Sequence, residues 1–173
     1  GRKPVTTKVY RESQRDKLYR GMQMELEKGH QVYVVYPLIE ESEKMDLKNA
    51  TDMAAQLRQV FAPRFQVALL HGKMKGDDKH AIMQEFKSGK VGVLVSTTVV
   101  EVGVDVPNAT VMVIEHAERF GLSQLHQLRG RTGRSALQSY CILLDHSAPG
   151  SDASDRLNIL EQSTDGFEIA RQD

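Results

Sequence analysis

A pair of arginines three residues apart is the most specific chemical signal in the sequence. The segment QLRGRTGR, residues 127–134, places Arg131 and Arg134 among glycines. Side chains three apart at a helix end point to the same side, and guanidinium groups keep their charge and bind phosphate oxygens through paired hydrogen bonds. No acidic residue lies within ten positions of Arg129 on either side, so no carboxylate nearby in the sequence explains these charges. The pattern indicates a phosphate-binding segment rather than a solvated arginine face.

A second candidate is the segment LHGKMK, residues 70–75. Gly72 would let an anion approach the backbone beside Lys73, and Asp77 then opens a helix whose first amide groups are free. The ordinary alternative is a turn with surface lysines, and the hexapeptide alone favours that alternative.

A third candidate is the segment VSTTVVEVGVDVPNA, residues 95–109. Thr97 and Thr98 leave an apolar run, and hydroxyls beside free amides suit a phosphate or a sugar. A helix N-cap explains the same residues equally well. Glu101 and Asp105 do not indicate a glycosidase pair, because nothing else in the chain supports sugar chemistry.

The elements around these segments predict an α/β domain. Short apolar, β-branched runs predict strands at residues 5–9, 32–36, 66–70, 92–95, 110–114 and 139–144. Amphipathic stretches between them predict five helices, the third capped by Asp77 and the fourth following Ser123. Alternating strands and helices are typical of a mainly parallel sheet flanked by helices in three layers. Since ligands bind outside the carboxyl ends of such strands, we expect all three segments to lie in loops that follow strands.

The composition argues against a membrane-spanning protein and a secreted protein. The 173 residues are 40% hydrophobic and 27% charged, which is ordinary for one globular domain. The longest apolar run has five residues, so neither a membrane span nor a signal peptide is expected. The single cysteine favours a reducing compartment, and we expect a cytoplasmic protein.

The net charge is zero, but the segment 119–144 holds four arginines and no acid, which favours local anion binding. The spacing of His71, His80 and His126 suits no common metal site, so no metal ligand is predicted.

The motifs resemble those of superfamily 2 helicases. VYVVYPLI resembles motif IV, VLVSTTVVEVGVDVPNA resembles motif V, and QLRGRTGR resembles motif VI. Nearly the whole chain resembles the second RecA-like motor domain of the RecG family of bacterial DNA helicases, including VYPLIEESEKMDLK, LHGKMK and STDGFEIARQD. The transcription-repair coupling factors and the primosomal helicases are the next most similar families, but EESE and EVGVDVPNA favour RecG.

This resemblance implies a role for each site residue. Arg131 and Arg134 would be arginine fingers that reach the γ-phosphate of ATP, bound with magnesium mainly by the preceding motor domain. Gln127 would couple that cleft to the DNA, and Gly103 and Asp105 would face the nucleotide. The remaining positions would contact DNA: Thr97, Thr98, Gly72 and Lys73.

For the whole protein, the resemblance implies an ATP-dependent helicase or translocase that remodels forks and Holliday junctions in recombination and repair. Its partners would be branched DNA and, in cis, the preceding motor domain and a wedge domain, with no membrane. Residues 1–10 would be a linker and first strand, residues 11–150 the helicase C-terminal domain, and residues 151–173 the start of a helical translocation motif that is cut short.

Two other functions remain open at this point. A domain of this fold could hold nucleic acid without ATP turnover, or the chain could be a small α/β enzyme with its own nucleotide pocket. The sequence contains no G-x-x-x-x-G-K-[ST] loop and no DExx box, which weighs against the second function. The fixed spacing of Arg131 and Arg134 weighs against the first.

Overall fold

The computed structural model describes residues 4–38, 42–97, 106–133 and 135–163. These residues form one six-stranded sheet, five α-helices and two 3-10 turns at Glu12–Gln14 and Ala117–Arg119. The strands are β1 (Thr6–Tyr10), β2 (Gln31–Val35), β3 (Val67–Leu70), β4 (Val93–Ser96), β5 (Ala109–Ile114) and β6 (Tyr140–Leu144). The helices are α1 (Arg15–Glu27), α2 (Glu43–Phe61), α3 (Gly76–Lys87), α4 (Leu122–Arg129) and α5 (Asp152–Gln162).

The sheet has the strand order β1-β6-β5-β2-β4-β3, and every pairing between these strands is parallel. All six predicted strands are present, with ends that differ by at most one residue. The prediction of a mainly parallel sheet is therefore confirmed. In a parallel sheet all amino ends share one edge and all carboxyl ends share the other, so each loop can be assigned to one edge.

Helices cover both faces of the sheet, which gives the predicted three layers. On one face, α1 and α2 bury Leu18, Met22 and Leu57 against the sheet. On the other face, α3, α4 and α5 contribute apolar side chains such as Phe86 and Leu125. Central β2 is buried along its whole length, in keeping with the apolar residues that follow Gln31 in this strand.

The helix starts differ from the sequence prediction in two places. The N-cap of α3 is Lys75, and Asp77 lies inside the first turn instead of capping it. A carboxylate at that position still interacts favourably with the positive end of the helix dipole. Helix α4 begins at Leu122, one residue before Ser123, with Gly121 as its N-cap.

Candidate functional site

The first part of the site is a cleft at the carboxyl edge of the sheet. Strands β3 and β4 end side by side, and the Thr97 amide donates a hydrogen bond of 3.1 Å to the Leu70 carbonyl. This pairing brings Gly72, Lys73 and Thr97 into one cleft of about 270 Å³. The other lining residues are Leu38, Glu43, Leu47 and His71. The structure thus brings together three of the four residues assigned to DNA, while Thr98 lies outside the described residues.

The cleft carries a lysine and a histidine whose positions are linked. The Lys73 side chain is 61% exposed, and its ammonium lies 3.8 Å from the Glu43 carboxylate, which makes a weak surface ion pair. The Lys73 amide donates a hydrogen bond of 3.3 Å to Nδ1 of His71. Partial burial and the charges of Lys79 and Lys73 lower the pKa of His71 below its ordinary value. The free cleft therefore presents a neutral histidine beside a charged lysine.

The described part of the arginine segment, residues 127–133, leads to the opposite edge of the sheet, which corrects the prediction that the segment follows a strand. Helix α4 returns the chain across the sheet, so the residues after it lead into the amino end of β6. The Ser135 hydroxyl donates a hydrogen bond of 3.2 Å to the Pro107 carbonyl, just before β5. The Thr6 amide, at the start of β1, donates one of 3.0 Å to the Ser139 carbonyl. Arg131 therefore belongs to the amino edge, away from the cleft of Lys73.

Glycine is required within this arginine segment. Gly133 has a φ of +74°, and a Cβ built there would lie 2.5 Å from Cγ2 of Val5. The neighbouring Thr132 is buried, with its hydroxyl 3.8 Å from the Met112 sulfur. These contacts hold the backbone next to Arg131 against β1 and β5. A fixed backbone of this kind suits a side chain that must meet a phosphate at a defined position.

The arginines of this region do not share one role. Arg131 is partly exposed, and its amide donates to the Leu128 carbonyl at 3.1 Å. Arg129 is only 5% exposed, and its Nη1 lies 2.8 Å from the Ser163 carbonyl and 3.1 Å from the Leu160 carbonyl. It thus satisfies the end of α5 and is part of the interior.

This structural role of Arg129 was not predicted from the sequence, although one signal was available. Arg129 lies four residues after buried Leu125 and shares the inward face of α4, whereas Gln127 is exposed on the other side.

A second polar group at the carboxyl edge was not foreseen from the sequence. His116 adopts a left-handed φ of 49°, stacks on His146 with ring centroids 4.2 Å apart, and lies 3.3 Å from the Tyr36 hydroxyl. Burial and the nearby His146 lower the pKa of His116. Beneath them, Arg15 forms a buried ion pair of 2.7 Å with Glu115. Backbone strain and tertiary packing create this group, so no local pattern predicts it.

Several sequence-assigned residues lie outside the described residues: Thr98, Glu101, Gly103, Asp105 and Arg134. Among the described ranges, no three His, Cys, Asp or Glu side chains are grouped so that they could hold a metal ion. In those same ranges, no helix is long and apolar enough to cross a membrane.

Comparison with known families decides what kind of domain this is. The family model of the helicase conserved C-terminal domain matches residues 13–136. The chain belongs to this helicase family. In it, the helicase C-terminal domain has the RecA-like fold described above, with a parallel sheet between two helical layers.

Within this helicase family, the chain is similar over its full length to RecG proteins. It is 51% identical to the ATP-dependent DNA helicase RecG of Synechocystis and 53% identical to that of Streptococcus pneumoniae, covering 100% of this chain in both cases. A solved structure of RecG bound to a three-way DNA junction superposes on 99% of this chain with a TM-score of 0.81 and 42% identity. The chain spans 21% and 26% of the length of the two RecG relatives and 22% of the solved chain. These helicases are therefore about four to five times as long as this chain.

Proposed function

We propose that the chain is the C-terminal motor domain of an ATP-dependent DNA helicase or translocase that remodels branched DNA, such as forks and Holliday junctions, in recombination and repair. The observation that carries this proposal is the similarity over 99% of the chain to RecG in complex with a three-way DNA junction. Branched DNA and the other domains of the same protein, a first motor domain and a wedge domain, are the partners. Such a protein works in the cytoplasm, where bacterial DNA is found.

Within this motor domain, we assign DNA binding to the carboxyl edge of the sheet and contact with ATP to the amino edge. At the carboxyl edge, Gly72 and Lys73 offer an accessible backbone and a positive charge, which suit DNA phosphates. Thr97 lines the same cleft, although it is only 4% exposed. Thr98 completes this set in our proposal. At the amino edge, the arginine segment faces ATP and magnesium on the first motor domain. ATP binding and hydrolysis then close and open the two domains, and each cycle moves the DNA contact.

The residue roles proposed around ATP are those that the family resemblance implies, and the chemistry of phosphoryl transfer explains why arginines suit one of them. Charge accumulates on the phosphoryl oxygens as the bond to the leaving group lengthens, and a planar guanidinium can meet two oxygens at once. Arg131 and Arg134 are assigned this finger role, and Gln127 links the ATP cleft to the DNA. Gly103 and Asp105 contact the nucleotide.

The proposed domain limits are a linker with the first strand at residues 1–10, the motor domain proper at 11–150, and the start of a translocation motif at 151–173.

The finger assignment is tested with Arg134→Lys and Arg131→Lys in the longer protein that contains this chain. Lysine keeps the charge but loses the fork, so ATP turnover on forked DNA should fall by at least about a hundredfold, since finger loss typically costs about three to five powers of ten. DNA affinity without nucleotide should stay unchanged, because the described arginine loop and the DNA cleft lie at opposite edges. The matched control is Arg156→Lys, an exposed arginine on α5.

The opposite result has a clear meaning. If DNA binding collapses in these variants while turnover per bound complex is normal, the two arginines grip DNA and the finger assignment is wrong.

A further inference from the structure

We propose that His71 is a further phosphate-binding residue of the carboxyl-edge cleft, and that its protonation couples DNA binding to pH. The inference rests on the proposed function, because the anion is a DNA phosphate. It adds a residue that the motif comparison did not assign to DNA, and it makes the affinity of this site adjustable by a single proton.

The hydrogen bond between the Lys73 amide and His71 makes this coupling possible. The amide donates to Nδ1, so the neutral ring carries its proton on Nε2. In that state the Lys73 amide donates to the ring and is not available to bind an anion. Protonation at Nδ1 turns this nitrogen into a donor, and the amide loses its acceptor. One proton therefore releases a backbone donor, adds a ring donor and adds a positive charge beside Gly72 and Lys73.

The charges around His71 give the direction of the coupling. Lys73 on the same loop and Lys79 on α3 both oppose protonation, as does partial burial of the ring. From α2, the Glu43 carboxylate lies 3.8 Å from the Lys73 ammonium. Because the Glu43 side chain is 82% exposed, it only slightly reduces the opposition of Lys73 to protonation of His71. A phosphate in the cleft brings negative charge close to both lysines and the ring, which favours the imidazolium. DNA binding therefore raises the pKa of His71, and by linkage a protonated His71 strengthens DNA binding to the same extent.

The measurable consequence is a pH-dependent affinity. Because the free ring is neutral near pH 7 and the bound ring is more readily protonated, affinity should rise as the pH falls from 8 to 6. We expect a tightening of about three- to tenfold, since one pKa unit corresponds to a factor of about ten in binding.

The experiment measures binding of a short oligothymidylate to the longer protein by fluorescence anisotropy, at constant ionic strength from pH 8 to pH 6. Thymine does not titrate in this range, so the probe contributes no proton. His71→Asn keeps an acceptor for the Lys73 amide but cannot be protonated. Whatever its affinity at pH 8, this variant should bind no more tightly at pH 6 than at pH 8. The control His80→Asn changes an exposed histidine of α3 that does not line the cleft, and it should keep the full pH dependence.

Calorimetry gives an independent readout that needs no substitution to be interpreted. Binding measured at pH 7 in two buffers of different ionisation enthalpy should show uptake of a fraction of one proton by the wild type. His71→Asn, or His71→Gln if the first variant does not fold, should abolish that uptake. Absence of proton uptake in the wild type, or its persistence in both His71 variants, overturns the inference.

Lys73→Ala separates this inference from the proposed function. If Lys73→Ala weakens binding while the His71 variants keep the wild-type pH dependence, the DNA cleft stands and only the role of His71 fails. If Lys73→Ala leaves DNA affinity unchanged and wild-type binding does not vary with pH, both the cleft assignment and the inference fail.

Discussion

Gly133 shows at the residue scale why the arginine segment contains glycine. Its positive φ, together with a Val5 methyl group only 2.5 Å from where a Cβ would lie, leaves no room for any side chain. Gly133→Ala should therefore lower the free energy of unfolding by about 2 to 5 kcal/mol, from the left-handed backbone and the forced contact together. Urea unfolding monitored by circular dichroism measures this change.

Gly21→Ala is the matched control for that substitution. Gly21 lies within α1, and a Cβ built there meets no atom within 4 Å. Alanine should stabilise the chain by up to about 1 kcal/mol, the usual gain in a helix interior. Equal effects of the two substitutions would contradict the strain argument at Gly133.

Lys73 is the residue on which the DNA assignment of the cleft is most directly tested. Its ammonium is exposed at the cleft, and its only described ion pair is the weak one with Glu43. In the longer protein, Lys73→Ala should weaken DNA binding to a similar degree for all sequences. It should also reduce the slope of log K against log salt by about one unit or slightly less, as expected for one lost phosphate contact.

The comparison variant for the salt titration is Lys48→Ala. Lys48 is an exposed lysine of α2 that pairs with Asp52 and does not line the cleft. If both variants leave the slope unchanged, Lys73 is a solvated surface residue and the cleft does not bind phosphate through it.

At the element scale, α4 has an inner face that buries Arg129 and an opposite face on which Gln127 is exposed. Its inner face carries Arg129, which ties α4 to β1 through the Thr7 hydroxyl and to the last turn of α5 through two carbonyls. Arg129→Met fills similar space but leaves these carbonyls without the guanidinium. The free energy of unfolding should fall by about 2 to 4 kcal/mol, because buried carbonyls lose a charged donor.

Thermal or urea unfolding of Arg129→Met and of the exposed Arg156→Met tests this assignment. The second variant should differ from the wild type by less than about 0.5 kcal/mol, as surface substitutions usually do. A small effect of Arg129→Met would mean that the end of α5 finds other partners.

At the scale of the whole molecule, the two candidate surfaces lie at opposite edges of one six-stranded sheet. In our proposal, a displacement that ATP imposes at the amino edge would also move the carboxyl-edge cleft, because both surfaces belong to the same sheet. The sequence lacks the phosphate-binding Gly-Lys loop and the DExx box. We therefore expect the 173-residue chain alone to show no DNA-stimulated ATPase activity. Phosphate release from highly purified material that Arg134→Ala abolishes would contradict this expectation.

The order and type of the elements follow from the sequence alone. Each strand is a short apolar run and each helix has an apolar stripe. Both patterns are visible within short stretches of sequence, because they reflect which side of each element is buried. The same local information identified the arginine segment as chemically unusual. For Lys73 it favoured an ordinary surface turn, and for Thr97 it left a helix cap equally open, so the DNA roles of these two residues came from the family resemblance. Since β3 and β4 were predicted as parallel strands, a shared edge for Lys73 and Thr97 was also within reach of sequence reasoning.

The edge that each segment occupies, and the burial of its side chains, come from tertiary packing. The passage of α4 across the sheet carries Arg131 to the amino edge, and the packing of α5 turns Arg129 into an interior anchor. The contact of Gly133 with Val5 joins residues from distant parts of the chain. The physical reason is that hydrophobic periodicity indicates how deeply a residue is buried but not which residues it packs against. These packing partners are set by the strand order and by helix packing.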